Sequence, residues 1–134
     1  MAVGKSNNTK LKVGASVYNS IASIGGLSLS ADTIDVTTLD SANGFREYIQ
    51  GFRDGGEVQI SGFFDPLDTN GQMATLTNLG DGSIDSYTIE FTSIGYKWTF
   101  DAIVTAFTTN AAVGDAIGWE ATLKVTGKPL LTAV

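Results

Sequence analysis

The chain has 134 residues, no cysteine and no histidine, with 14 acidic against 8 basic side chains and a formal net charge of −6. That composition excludes disulfides, thiolate or imidazole zinc sites, and Ser-His-Asp or Cys-His catalysis. A chain of this length makes one domain, taken as 1–134, and buries about two-thirds of its unfolded surface, so a core forms without staples.

The N-terminal residues carry Lys5, Lys10 and Lys12 but no apolar stretch behind them, which argues against a secretory signal. No run approaches the roughly 18 apolar residues of a membrane span, so no membrane is expected as a partner. Leu11 and Val13 alternate with Lys10 and Lys12, and a second alternating stretch runs from Val17 towards Ile24 before the Gly25-Gly26 turn. Leu27 and Leu29 then lead into a strand at 33–38, where Ile34 and Val36 oppose Thr33, Asp35 and Thr37. Val58, Ile60, Gly62 and Phe64 oppose Glu57, Gln59, Ser61 and Phe63 in the next strand.

Between these strands lies a loop at about 39–56, longer than the usual connection of about two to five residues and too aromatic for disorder. Phe45, Tyr48, Ile49 and Phe52 fall at i, i+3, i+4 and i+7, the spacing of one helical face. Two readings follow: a short amphipathic helix on the domain's own core, or an arm whose apolar residues are buried only by another subunit.

One segment asks to be a helix, at about 69–79: Thr69 with Gln72 makes a capping box, Met73 and Leu76 share a face, and Gly80 supplies the stop. Three more strands follow, around Tyr87–Phe91, Trp98–Ala106 and Trp119–Val125. Sixteen glycines and two prolines suit many short strands with tight turns, so the fold is mainly β, a sandwich or barrel with one flanking helix.

Two chemical motifs fail on register. The segment Asp65–Gly71 would place Pro66 first and Thr77 twelfth in a calcium loop, where carboxylates are required. Gly127-Lys128 would need a glycine at Thr122 and a hydroxyl at Pro129 to close a phosphate loop. Carboxylates at Asp35, Asp40, Asp54, Glu57, Asp101 and Glu120 sit beside threonines on polar faces, where solvated carboxylates are ordinary. No enzyme, metal or cofactor is expected. The polar faces are rich in threonine, which suits any half-exposed pleated surface or, on a sharper reading, the wall of a hydrated passage.

The chain resembles the major tail tube proteins of long-tailed, siphovirus-type bacteriophages. The resemblance is carried by Thr33-Ile34-Asp35-Val36-Thr37-Thr38 with Asp40-Ser41, Glu47-Tyr48-Ile49 with Gly51, Asp54-Gly55-Gly56-Glu57-Val58, Gly62-Phe63-Phe64-Asp65 and Ala121–Pro129. It implies a tail-tube fold, a non-enzymatic subunit of stacked and hexameric rings, and a β-lined channel that conducts DNA. The implied partners are other copies of the chain, a tape-measure protein, a tail terminator and distal tail proteins. The implied location is the virion tail, assembled in the host bacterial cytoplasm. The chain stops soon after Pro129, so the extra immunoglobulin-like domain of some relatives is expected to be lacking.

On this resemblance the loop becomes an arm reaching a neighbour through Phe45, Arg46, Tyr48, Ile49, Phe52 and Arg53. Asp35, Glu57, Glu90, Asp101 and Glu120 become candidates for an acidic lumen that repels phosphates, since DNA affinity comes largely from cations. Residues 1–9 and 128–134 are expected as terminal arms that order on binding. A secretion tube of the type VI kind is the near alternative, and a small-ligand-binding β-barrel the distant one.

Overall fold

The computed structural model describes residues 9–111, 113–114 and 116–134. Among the described residues, nine strands and one α-helix follow one another. The strands are β1 (Thr9–Val13), β2 (Ser16–Val17), β3 (Ile21–Ile24), β4 (Ser30–Asp35), β5 (Tyr48–Asp54), β6 (Glu57–Phe63), β7 (Asp85–Phe91), β8 (Tyr96–Asn110) and β9 (Gly118–Ala133), with α1 (Gln72–Asp81) between β6 and β7. Seven strands form one antiparallel sheet in the order β2-β1-β7-β8-β9-β6-β3, while β4 and β5 pair only with each other. Thr9 of β1 and Ile21 to Ile24 of β3 stand near opposite ends of that order yet line one groove, with Phe91 and Trp98 on its floor. The sheet therefore rolls into a barrel left open along the groove.

Strict alternation builds the core. Val58 and Ile60 of β6, Phe100, Ala102 and Val104 of β8, and Trp119, Ala121, Leu123 and Val125 of β9 are all buried on one face. Each large side chain among them contributes about 1.5–3 kcal/mol of burial free energy. Trp119 is the centrepiece, stacked between Tyr18 (centroids 6.1 Å apart) and Phe107 (5.5 Å). A bulge between Val104 and Ala106 inserts one residue into β8, so Phe107 returns to the core side opposite Ala121.

Polar bonds fix α1 to the barrel. The carboxylate of Asp68 accepts from the Gln72 backbone N–H at 3.2 Å and from that of Asn19 at 3.0 Å. Gln72 does not complete a capping box with Thr69. Its side chain is fully buried, accepting from the Asp65 N–H (2.8 Å) and donating to the carbonyls of Asn19 (3.1 Å) and Phe63 (3.0 Å). Thr75 and Tyr18 share a buried hydroxyl–hydroxyl bond, and burial pushes the Tyr18 phenol up from its ordinary value. The helix ends at Gly82, left-handed with φ 70°, two residues beyond the expected stop at Gly80.

Two more expectations change. The stretch from Val17 to Ile24 is broken into β2 and β3 at Ser20, which has a positive φ of 59°. Here Gly62 is required, because a Cβ would collide with the Ser20 carbonyl. Residues 128–133, expected to form a free C-terminal arm, continue β9 and pair with β8 as far as Tyr96 opposite Ala133. The expected N-terminal arm, apart from Thr9, lies outside the described residues.

Candidate functional site: an exposed hairpin arm and a polar sheet face

The segment at 39–56 is not a helix. It turns at a short 3-10 element, Ala42–Gly44, and returns as β5, antiparallel to β4 with Ile34 opposite Ile49 and Asp35 opposite Tyr48. The apparent helical stripe is not one surface: Phe45 follows the 3-10 turn, Tyr48 and Ile49 are consecutive strand residues, and an extra residue between Gln50 and Arg53 shifts the alternation around Phe52. All six residues of β4 are exposed, and so are Phe45 (72%), Tyr48, Ile49 and Phe52 (91%). Val36 and Leu29 add to this surface. An isolated two-stranded hairpin is marginal in water, so local polar bonds hold this one. Arg46 donates to Asp35 at 3.0 Å, the Thr37 N–H donates to the same carboxylate at 2.9 Å, and the Glu47 N–H donates to the Thr37 hydroxyl at 2.7 Å. The Thr37 bonds first, then Arg46, hold the Asp35 carboxyl below its ordinary value.

The arm meets the barrel at Gly55 and Gly56. A Cβ on Gly55 would strike Val125, and Gly56 takes φ 76° with the Ser28 carbonyl against it. Asp54 accepts from the Gly56 N–H at 2.8 Å and from Lys124 at 3.3 Å, and these bonds, the backbone one first, lower its pKa. Arg53, Gln50 and Pro129 line a groove beside this junction.

The second region is the sheet face opposite the core. Register places Glu57, Glu90, Asp101 and Glu120 there, among Thr88, Thr99, Thr122 and Thr126. Asp35 is elsewhere, on the arm. Glu90 is buried rather than open, ion-paired with Lys12 at 2.7 Å. The Lys12 partner first, with Lys10 and Lys97 adding, holds its carboxyl below the ordinary value. Those lysines and Lys124 share the face with the four carboxylates, so it is mixed in charge rather than uniformly acidic. The signal for this was present in the sequence: Lys10 and Lys12 have the opposite parity to the core residues Leu11 and Val13.

Neither region brings together nucleophile, base and oxyanion donors, and no metal-holding cluster of acidic side chains occurs among the described residues. A model of the lambda phage tail tube protein, TTP, matches residues 7–132. The chain belongs to the lambda phage tail tube protein family. Its role is accordingly structural and not enzymatic. No curated protein sequence matches it significantly.

Solved structures share the tail-tube fold at low identity. The tail of an empty gene transfer agent particle, described with C6 symmetry, is 18% identical with a TM-score of 0.80, covering 98% of this chain and 100% of that one. The sheath-tube complex of the PVC extracellular contractile injection system gives 19% and 0.75, covering 98% and 93%. The SPP1 tail tube gives 13% and 0.64, covering 93% and 77%.

Proposed function

We propose that this tail tube protein polymerises into stacked hexameric rings, with the polar sheet face towards a channel that conducts DNA. The observation that carries this reading is the β4–β5 arm. It exposes Ile34, Phe45, Tyr48, Ile49 and Phe52, and a hairpin with uncovered apolar residues on both faces is the kind of surface that another copy covers. Phe45, Arg46, Tyr48, Ile49, Phe52 and Arg53 supply that contact to a neighbouring copy. The sixfold arrangement draws support from the C6 symmetry of the similar gene transfer agent tail.

A face carrying as many carboxylates as lysines gives phosphates little net attraction, which suits a conduit through which DNA slides. The mature location is the virion tail, after assembly in the host bacterial cytoplasm, with tape-measure, terminator and distal tail proteins as partners. The likeness to an injection-system tube reflects a shared fold, and the family match favours the phage tail over a secretion tube. Electron microscopy of the purified protein tests the reading. Rings or hollow tubes are expected; a monomer at every concentration, with tail partners present, overturns it.

A further inference from the structure

Charge on the polar face is sorted along the strands. One end holds the row Lys10–Glu90–Lys97 together with Lys12, leaving two net positive charges around a single buried carboxylate. Moving along β8, the next rows hold Asp101 beside Thr126, then Glu57 opposite Lys124 in register, then Glu120 opposite Thr108, leaving two net negative charges among these face residues. Glu57, Asp101 and Glu120 are all exposed. Each end is bordered by an exposed apolar side chain: Leu130, opposite Thr99 in the Lys12 row, and Phe63, opposite Gly118 beyond Glu120.

We infer that this separation of charge sets the polarity of assembly: the lysine end of one copy docks against the carboxylate end of a second copy of the same chain, head to tail. The inference rests on the tube reading above and adds the interface that stacks it. Two different patches meeting make a heterologous contact, which propagates instead of closing on itself. Turning one copy over would oppose lysines with lysines or carboxylates with carboxylates, and such juxtaposition is what excludes wrong pairings at interfaces. Leu130 and Phe63 supply the apolar area that screened charges alone lack.

The test is a charge-swap cycle on the full chain, using Lys97→Glu, Glu120→Lys and the double variant. Assembly is followed by light scattering and electron microscopy at low and high salt, and folding is checked by thermal melting. Tube assembly is expected to weaken with salt, to fall at least about tenfold in each single variant, and to recover in the double variant to within about threefold of the parent. If either single variant melts early, Lys10→Glu and Glu57→Lys supply the same comparison. Single variants that assemble like the parent, or a double variant that sums their defects, overturn the inference while leaving the tube reading intact. So does a Lys97→Glu variant that loses only retention of duplex DNA. A parent chain that forms neither rings nor tubes removes both readings.

Discussion

The Lys124 ammonium lies 3.3 Å from each carboxylate oxygen of Asp54, joining the barrel strand β9 to the last residue of the arm. Both side chains are substantially exposed, so the pair adds little to global stability. Its importance is positional. Lys124→Ala is expected to leave the melting temperature within about 2 °C of the parent while speeding amide exchange across β4 and β5. Unchanged exchange in the arm would show that the two glycines alone set its direction.

Replacing Phe45, Tyr48 and Phe52 together by Ser separates assembly from folding. None of the three belongs to the barrel core. The variant should melt within about 2 °C of the parent and remain monomeric in sedimentation velocity under conditions where the parent polymerises. A fall in melting temperature large enough to signal a lost core would mean that these side chains are buried within their own chain.

Gln72→Ala should destabilise by about 2–4 kcal/mol in urea denaturation, because it removes a fully buried side chain and strands one N–H and two carbonyls at once. Gln72→Glu should do nearly as much harm, since it keeps the acceptor and loses both donors. Near-parent stability in either variant would shift the anchoring of α1 onto Asp68 and Thr75.

The arm should also respond to acid. Asp35 and Asp54 have folded-state pKa values below the ordinary 3.8. Their contribution to arm order is whole above that value and is lost as pH falls through the depressed folded values. Carboxyl shift titration should give midpoints under 3.8 at both residues. Thr37→Val should raise the Asp35 midpoint more than Arg46→Ala does, following the order of the two causes; the reverse order would assign the shift to the ion pair.

What could be read without the structure divides along physical lines. Strands with one face in the core announced themselves, because burial enforces alternation: Val58 and Ile60, Phe100 and Ala102, and Trp119 through Val125 are where periodicity places them. The arm resisted because neither of its faces meets the core, so no period is imposed, and apolar residues spread over a turn and an irregular strand fell at helical spacing. Gln72 misled for a related reason. Its spacing from Thr69 suits a cap, but the carbonyls of Asn19 and Phe63, on other elements, claim the amide instead. The polar face was legible as a face, since threonines and carboxylates kept their parity. The parity of Lys10 and Lys12 put lysines on that face too, but their convergence with Lys97 on Glu90 was hidden, because β1 and β8 come to flank β7 only in the folded sheet.

The two-glycine junction at Gly55 and Gly56 also orders events in time. Arm residues 30 to 54 leave the ribosome early, whereas Val125 and Lys124, against which the junction and Asp54 rest, are on the last strand to emerge. Until β9 slots between β8 and β6, the base of the hairpin lacks the Val125 and Lys124 contacts that seat it. On the proposed reading of the arm, joining a neighbour therefore waits for completion of the barrel.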